Sequence, residues 1–356
     1  MNAPVISKQV VSKQTKTAIV LLNLGGPDSL EAVQPFLFNL FNDPAIIGAP
    51  KLIRLMIARL ISRRRAPIAQ KIYQEMGGKS PIFEQTEAQA NALTASLADD
   101  GNVKVFICMR YWHPMSDAVV QQVKEYAPDH VILLPLYPQF STTTSRSSLQ
   151  DWWRAAKDAG LNVPTTDICC YADQQSFINA HGALLREVLF NISKDARPRV
   201  LFSAHGLPEK IIKGGDPYQW QVEQTAKRIV QLLMFDGLDY KVCYQSRVGP
   251  LKWIGPSTVE EIERAGRDKV PVILVPIAFV SEHSETLVEL DIEYKELAHE
   301  VGVPEYYRIP ALTTHPYFIE GLRELCLAVM SDDVLNNTHK ARICPPEFTE
   351  CPCRVA

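Results

Sequence analysis

The amino-acid sequence predicts an α/β protein made of two similar, doubly wound parallel-sheet lobes with an active-site cleft between them. The first supporting observation is an internal repeat, because four sequence landmarks recur in the same order in both halves of the chain. The second is spacing, since short β-rich runs roughly 25–40 residues apart are typical of parallel strands joined by crossover helices. The landmarks are an apolar run ending in proline (17–27 and 199–208), K-V-x4-R (104–110 and 241–247), VIL-x-P (131–135 and 272–276) and Val-Pro followed by Phe-Ile (163–178 and 303–319).

The landmarks divide the chain into a first lobe at 17–190, a second lobe at 198–330 and a cysteine-containing tail at 331–356. One interval differs between the halves. Pro27 and Lys104 are 77 residues apart, whereas Pro208 and Lys241 are 33 residues apart. We therefore expect an insertion in the first lobe, around 31–82.

The insertion contains an amphipathic stretch at 46–67 that ends in three arginines. Its apolar residues recur at helical spacing: Leu52, Ile53, Met56, Ile57, Leu60 and Ile61. The pattern alone favours an ordinary helix that packs on the core and has a basic end. The alternative is a lip that touches a membrane surface or covers an apolar ligand.

Composition excludes several classes of function. The 356 residues are 46% hydrophobic and carry a net charge of −3, so the chain lacks the basicity typical of nucleic-acid binding. The N-terminal run lacks the apolar core of a secretory signal, and no uninterrupted apolar run is long enough to span a membrane. Eight cysteines in such a chain favour a reducing compartment. We therefore expect a cytoplasmic protein, with any membrane association made through the insertion.

Polar residues follow the predicted strands, where ligands of open parallel sheets bind. His205 comes directly after an apolar run, and Glu285 follows the VIL-x-P landmark of the same half. A single histidine in such a place is more often structural, but a carboxylate beside it favours a ligand pair. Imidazole plus carboxylate suits Fe2+ and similar divalent ions with open coordination positions. Gly25-Gly26 lacks the full nucleotide-binding patterns, so a nucleotide site is weakly supported.

The segment from Ser284 predicts a helix with an apolar stripe at Leu287, Leu290, Tyr294, Leu297 and Val301. Glu285, Glu289 and Glu293 fall four residues apart on another face. One interpretation is a solvated face. The other is a row of carboxylates that moves protons or ions into a buried site, where like charges raise some of the pKa values.

Longer strings in the sequence resemble one enzyme family. They are LLNLGGP (21–27), SPI (80–82), MRYWHP (109–114), LPLYPQFSTTTS (134–145), FSAHGLP (202–208), GDPY (215–218), YQSRVGPLKWIGPST (244–258) and PIAFVSEHSETLVELDIEY (276–294). In this order they resemble ferrochelatases, over about residues 17–330. The resemblance implies a chelatase-type, flavodoxin-like fold and a lyase that inserts Fe2+ into protoporphyrin IX to form protohaem, the last step of haem biosynthesis.

The resemblance also implies residue roles. His205 and Glu285 would coordinate the iron and help to remove the pyrrole protons, and His283 would support them. Glu289 and Glu293 match the family's acidic row, which favours the proton or ion path. The porphyrin-binding residues that it implies are Arg110, Tyr111, Ser141 and Thr142 in the first half, and Trp253 and Phe279 in the second. Because the porphyrin is poorly soluble, the resemblance shifts the balance toward a membrane-contacting lip.

The tail carries Cys344, Cys351 and Cys353 without any packing periodicity, which suggests metal or iron–sulfur ligation. Some ferrochelatases hold a 2Fe-2S cluster with a C-terminal cysteine trio and one internal cysteine, and this trio resembles that arrangement. Animal members place the internal ligand in the loop where this chain has Thr142, so we take Cys169 or Cys170 as the fourth ligand. The alternative is a disordered tail with loose thiols.

Two other functions remain open at this point. The first is a ferrochelatase that uses coproporphyrin instead of protoporphyrin. The second is a two-lobed protein that binds metal or tetrapyrrole without chemistry, although such carriers usually work outside the cytoplasm.

Overall fold

A computed structural model of the chain describes residues 15–192, 196–247, 251–331 and 342–353. The N-terminal residues 1–14, residues 248–250 of the YQSRVGPLKWIGPST string, and residues 332–341 and 354–356 of the predicted tail lie outside the described residues.

Two four-stranded parallel sheets form the framework, which confirms the predicted architecture. The strands are β1 (Lys16–Asn23), β2 (Asn102–Met109), β3 (His130–Pro135), β4 (Thr165–Asp167), β5 (Arg199–His205), β6 (Asp239–Gln245), β7 (Val272–Pro276) and β8 (Tyr306–Arg308). The first sheet has the order β2-β1-β3-β4 and the second the order β6-β5-β7-β8, so the two lobes share one topology.

Helices cover the sheets. They are α1 (Val33–Phe41), α2 (Lys51–Glu75), α3 (Ile82–Ser96), α4 (Ser116–Tyr126), α5 (Ser145–Ala159), α6 (Gln175–Asn191), α7 (Glu209–Lys213), α8 (Tyr218–Leu233), α9 (Thr258–Asp268), α10 (Tyr294–Glu300) and α11 (Pro316–Ser331). The central strands are buried on both faces, as the continuous apolar run from Ala18 to Leu22 requires.

One hydrophobic core extends through both lobes. Helix α6 follows the last strand of the first sheet, yet it packs against α8 and α11 of the second half. Helix α11 in turn packs against α3 and α6 of the first half, with the ring centroids of Phe177 and Phe318 6.5 Å apart. Apart from Lys16 at the start of β1, the strands fall within 17–190 and 198–330, but the helices that close the lobes cross between them.

The insertion forms α1 and the long helix α2. Ala58, Ser62 and Ala66 give α2 a narrow buried side of small residues, and α1 packs against this helix. The predicted apolar face instead points largely to solvent, since Leu52 is 76% and Met56 66% exposed. Among the described residues, no helix is both long and apolar enough to cross a membrane.

The helix predicted after Ser284 is present, but its first part is wound differently. Residues Glu285–Glu293 form a π-helix, and only from Tyr294 does the chain continue as the α-helix α10. Apolar periodicity does not reveal this change, because both windings bury a stripe of apolar side chains. π-Helical turns are frequent at functional sites, where the wider winding alters which side chains meet.

Candidate active site

The central pair of the site consists of His205 and Glu285. His205 is the last residue of β5, and Glu285 begins the π-helix that follows β7. Because β5 and β7 are neighbours in the sheet, their carboxyl ends bring both side chains to the same edge. His205 Nδ1 lies 2.8 Å from Glu285 Oε2.

This pair carries opposite pKa shifts. Desolvation opposes the charged imidazole, but the charge of Glu285 and its hydrogen bond outweigh this and raise the pKa of His205. Burial would likewise raise the pKa of Glu285, but the charge of His205 and its hydrogen bond lower it to about 2. The pair therefore combines an ionised carboxylate with an imidazole that keeps its proton more strongly than usual.

A second carboxylate, Glu289, is linked to the pair through Ser246. The Ser246 hydroxyl lies 3.2 Å from Glu285 Oε2 and also within hydrogen-bond distance of Glu289 Oε2. The Ser246 backbone N–H and the Tyr294 hydroxyl donate to Glu289 Oε1, at 2.9 Å and 2.7 Å. Burial, followed by the negative charge of Glu285, raises the pKa of Glu289.

Ser246 itself has a left-handed backbone, with φ at +59°. Residues with side chains rarely adopt this conformation, and such strain clusters at functional sites. Ser246 belongs to the YQSRVGPLKWIGPST string, but sequence reasoning did not assign it a role. Glu293, in contrast, is exposed at the far end of the π-helix. The structure therefore brings Glu285 and Glu289 together and leaves Glu293 apart.

His283 lies directly behind the pair and is buried. Its Nδ1–H donates to the Ser281 carbonyl oxygen at 3.2 Å, and its ring packs against Phe279 with centroids 4.6 Å apart. Its Nε2 lies 4.0 Å from Glu285 Oε1. Burial lowers the pKa of His283, so the ring is neutral near neutral pH.

The insertion contributes one residue that sequence reasoning missed. Tyr73, near the end of α2, is buried with its hydroxyl against Ser284 and within the field of Glu285. Burial, with a further contribution from the charge of Glu285, raises the pKa of Tyr73 to about 12. No sequence signal marks this residue, since its proximity to the site depends on how α2 folds back over the cleft.

On the first-lobe side, Arg110 and Tyr111 converge on a buried aspartate. The Arg110 guanidinium and the Tyr111 hydroxyl each donate to Asp43 Oδ2 at 2.8 Å, and Arg110 Nε donates to Ser147 at 2.8 Å. Asp43 is 3% exposed and lies between α1 and α2. Two predicted porphyrin-wall residues thus also attach the base of the insertion to the lobe.

Ser141 and Thr142 are held from the opposite lobe. Asp216 Oδ2 accepts from the Ser141 hydroxyl (3.0 Å) and from the backbone N–H and hydroxyl of Thr142 (both 2.7 Å). Asp216 is fully buried. It belongs to the GDPY string, which could have marked it, but its partners lie 74 and 75 residues away in sequence.

Trp253 covers Gly206, the glycine that follows His205. A Cβ atom at Gly206 would lie 2.9 Å from the Gln245 carbonyl oxygen and 3.4 Å from the Trp253 ring, so only glycine fits this position without displacement. Trp253 therefore lies over the turn after β5, whereas Phe279 packs against His283 after β7.

Five buried cysteines form a separate cluster, apart from the pair of His205 and Glu285. Cys344, Cys351 and Cys353 of the tail pack with Cys169, Cys170 and Phe140. The sulfur atoms of Cys169, Cys170 and Cys353 all lie within 4.8 Å of one another. Gln221 Nε2 donates to the sulfur of Cys344 at 3.2 Å, while Gln221 Oε1 accepts from the Phe140 N–H at 2.7 Å. The structure thus brings both predicted internal cysteines to the trio.

Comparison with known proteins identifies the family. A family model described as ferrochelatase matches residues 16–329. The chain belongs to the ferrochelatase family. It is 51% identical to the ferrochelatase of Pelagibacter ubique, over 95% of this chain and 98% of that protein. It is 54% identical to that of Wolbachia sp. subsp. Drosophila simulans, over 88% and 99% of the two chains.

Among solved structures, the fold is similar to that of SirB from Bacillus subtilis with Fe3+. The TM-score is 0.55 at 12% identity, covering 89% of this chain and 96% of that chain. At this identity the similarity shows the fold alone. Membership of the ferrochelatase family makes the chain a metal chelatase and implies iron and a porphyrin as its substrates.

Proposed function

We propose that the chain is a lyase that inserts Fe2+ into protoporphyrin IX to form protohaem, the last step of haem biosynthesis. The observation that carries the proposal is the hydrogen-bonded pair of His205 and Glu285 at the carboxyl ends of two adjacent strands, with His283 behind it. One imidazole and one carboxylate hold a divalent ion weakly and leave coordination positions open for pyrrole nitrogens.

The reaction exchanges one Fe2+ for two pyrrole N–H protons. In our proposal His205 and Glu285 first hold the iron, and iron binding displaces the proton that the raised pKa keeps on His205. The two pyrrole protons leave as the iron–nitrogen bonds form. Glu289 has a raised pKa and is hydrogen-bonded through Ser246, so it is suited to accept a proton and pass it outward. Glu293, exposed at the end of the π-helix, would be the last carboxylate of this path.

The macrocycle would lie in the cleft between the lobes. Trp253 and Phe279 supply apolar surface on the second-lobe side, and Ser141 and Thr142 supply hydroxyls on the first-lobe side. In our proposal Arg110 and Tyr111 face the propionates, with their orientation fixed by Asp43. An apolar container with a few oriented polar groups is the expected site for such a ligand.

The test is anaerobic mixing of Fe2+ and protoporphyrin IX with the protein, followed by the absorption change of metalation. We expect His205→Ala to metalate at the uncatalysed rate, while His299→Ala, on the exposed face of α10, keeps wild-type activity. A parallel reaction with coproporphyrin decides which porphyrin is preferred. Binding of both substrates without metalation would support a carrier instead.

We also propose that the cysteine group holds a 2Fe-2S cluster, with Cys344, Cys351 and Cys353 as three ligands and Cys169 or Cys170 as the fourth. The donor set fits, since four thiolates ligate such clusters and five buried thiols are packed together here. When bound, the cluster would supply one-electron redox chemistry. The protein's own contribution would be to enclose it, through Gln221 and through the ion pair of Arg146 with Glu350.

Visible absorption of anaerobically purified protein tests the cluster. We expect colour in the wild type, loss of colour in Cys351→Ser, and retained colour in Cys326→Ser, because Cys326 is buried in the main core outside this group. Separate serine variants of Cys169 and Cys170 identify the fourth ligand. A colourless wild type after cluster reconstitution would contradict the proposal.

Finally, we propose a cytoplasmic protein that contacts membranes peripherally through α2. The eight cysteines, all of which lie within the described residues, form no disulfide, which suits a reducing compartment. The exposed apolar side of α2, which includes Leu52 and Met56, is followed by exposed Arg63, Arg64 and Arg65. Apolar surface flanked by basic residues is typical of helices that lie in an anionic membrane interface.

A further inference from the structure

Helix α3, which leads from the insertion back to the first lobe, makes specific hydrogen bonds to the opposite lobe. The fully buried Gln89 donates its amide N–H groups to the carbonyl oxygens of Val280 (2.8 Å) and Thr313 (3.1 Å). Its own carbonyl oxygen accepts from the Ser281 hydroxyl at 3.3 Å. All three partners belong to the second lobe, nearly two hundred or more positions away in sequence.

One turn earlier on the same helix, Gln85 makes a similar contact. Its side-chain oxygen accepts from the backbone N–H of Glu282 at 2.7 Å. The two glutamines therefore hold three consecutive residues, Val280, Ser281 and Glu282, which connect β7 to His283 and Glu285.

The same connection is held from its other side by the second lobe itself. Glu282 Oε1 pairs with Arg308 at the end of β8 and accepts from the Ala311 backbone N–H at 2.8 Å. The Thr313 backbone N–H donates to the Val280 carbonyl oxygen at 2.9 Å. The segment is thus clamped between α3 on one side and the loop after β8 on the other.

This segment positions His283 and Glu285, which form the inner part of the site. The Ser281 carbonyl oxygen accepts the Nδ1–H of His283 and so fixes the orientation of its ring. The His283 backbone N–H donates to Thr286 at 2.9 Å, which sets the start of the π-helix and the position of Glu285. A displacement of Ser281 would therefore move both His283 and Glu285.

We propose that Gln89, assisted by Gln85, is a positioning residue for metal insertion, acting through Ser281 and Glu282 on His283 and Glu285. The inference rests on the proposed function of that pair. The chemistry requires an amide at this position, because only an amide offers two donors for the Val280 and Thr313 carbonyls and one acceptor for the Ser281 hydroxyl. A carboxylate could keep the Ser281 contact but would face the two carbonyl oxygens without a proton to donate.

The helix offers a matched control in Thr86. This residue is also fully buried on α3, but its hydroxyl bonds within the first lobe, to Asn23 and to the Ile82 carbonyl oxygen. Thr86→Val therefore removes buried hydrogen bonds from the same helix without touching the second lobe. Any effect that Gln89→Met shows beyond this control reports on the contact between the lobes.

The experiment compares Gln89→Met, Gln89→Glu and Thr86→Val by steady-state metalation and by thermal unfolding. We expect kcat to fall about tenfold or more in both Gln89 variants, because small misplacements of reacting groups are costly. We expect the KM for porphyrin to change little, and Thr86→Val to keep wild-type kcat. Equal kcat in Gln89→Met and Thr86→Val at equal unfolding temperature would overturn the proposal.

A second measurement separates this inference from the proposed function. The ring signals of His283 in the NMR spectrum should move in Gln89→Met and stay in place in Thr86→Val. Unmoved signals refute the positioning role even when the wild type is active, whereas an inactive wild type refutes the proposed function. If Gln89→Met fails to fold, Gln85→Met serves instead. Gln85 is only half-buried and loses one bond, so we expect a smaller fall in kcat in the same direction, and an unchanged kcat would overturn the proposal.

Discussion

The two lobes have the same strand order but carry different side chains at the ends of equivalent strands. Leu22 of β1 pairs with Pro135 of β3, and Ser203 of β5 pairs with Pro276 of β7, so these positions are equivalent. Leu24 lies two residues after Leu22, and His205 lies two residues after Ser203, so Leu24 is the first-lobe counterpart of His205. The repeat therefore places an imidazole in one lobe and an aliphatic side chain at the same position in the other.

The next crossover differs in the same way. Nine residues after Pro276 stands Glu285, and nine residues after Pro135 stands Thr144. In the first lobe an ordinary α-helix, α5, begins there, whereas in the second lobe a π-helix begins. The repeated framework thus provides two walls of a cleft, and different residues at a few strand ends place the imidazole–carboxylate pair on one wall only.

The largest expected effect comes from giving the second lobe the residue of the first. Glu285→Thr removes the carboxylate that pairs with His205 and replaces it with the side chain found at the equivalent position. We expect metalation to fall by about 10²- to 10⁴-fold, the range typical for loss of a positioned acid–base group. Initial rates with Fe2+ and protoporphyrin measure this, and Glu296→Gln on the exposed side of α10 is the control. Wild-type rates in Glu285→Thr would contradict the proposal that the second lobe supplies the carboxylate for metalation.

In the first lobe, the buried carboxylate of Asp43 should stabilise the fold through its ion pair with Arg110. Asp43→Asn leaves the Arg110 guanidinium without its closest counter-charge and weakens the acceptor of Tyr111. We expect a loss of about 3 kcal/mol in the free energy of unfolding, at the lower end for a broken buried ion pair because Arg110 also approaches Asp151. Urea titration measures this loss. A cost below 0.5 kcal/mol, the size of an ordinary surface substitution, would show that the network does not anchor the insertion.

The pair of His205 and Glu285 also predicts a pH dependence. Glu285 has a lowered pKa, about 2 against 4.5, so its contribution to stability is present above pH 4.5 and is lost as pH falls toward 2. His205 has a raised pKa, so its contribution is present below pH 6.5 and is lost as pH rises through the raised value. For metal-free protein, the stability advantage of wild type over Glu285→Thr should therefore be greatest between pH 4.5 and 6.5. Thermal unfolding across this range checks it, and an advantage that grows above pH 8 would contradict it.

The smallest expected effect lies on the surface of the insertion, which only the first lobe has. Leu52→Gln and Met56→Gln replace exposed side chains and should change the free energy of unfolding by less than about 0.5 kcal/mol. They should nevertheless weaken sedimentation with vesicles of anionic phospholipid. Met234→Gln, an exposed apolar residue after α8, is the matched control. Equal binding by all three variants would count against α2 as the membrane contact.

The sequence predicted those features that depend on local pattern. Alternating strands and crossovers gave the two lobes, and the rule that ligands bind at strand ends led to His205 and Glu285. The family resemblance then assigned their chemistry. The composition of the tail, together with that resemblance, pointed to the cysteine trio and to Cys169 or Cys170.

Register and long-range contacts were beyond local pattern. The sequence repeat matches Lys104 with Lys241, but in the sheets the counterpart of Lys104 is Asp239, two residues earlier. Tyr73 and Asp43 of the insertion, and Gln89 on the helix that follows it, contact partners that are far away in sequence. Such residues have no sequence signature, since a buried tyrosine, aspartate or glutamine is identified only by the groups that lie opposite it in the fold.

The crossed helices have a consequence for how the chain is made. Helix α3 and helix α6 both pack on α11, whose residues 316–331 are the last of the shared core. During synthesis on a ribosome, the first sheet can form early, but α3 and α6 cannot pack on α11 until residues 316–331 have emerged. Apolar surface of the first lobe therefore stays unpaired for most of translation, and ribosome-bound chains that end before α11 should be the ones that chaperones bind.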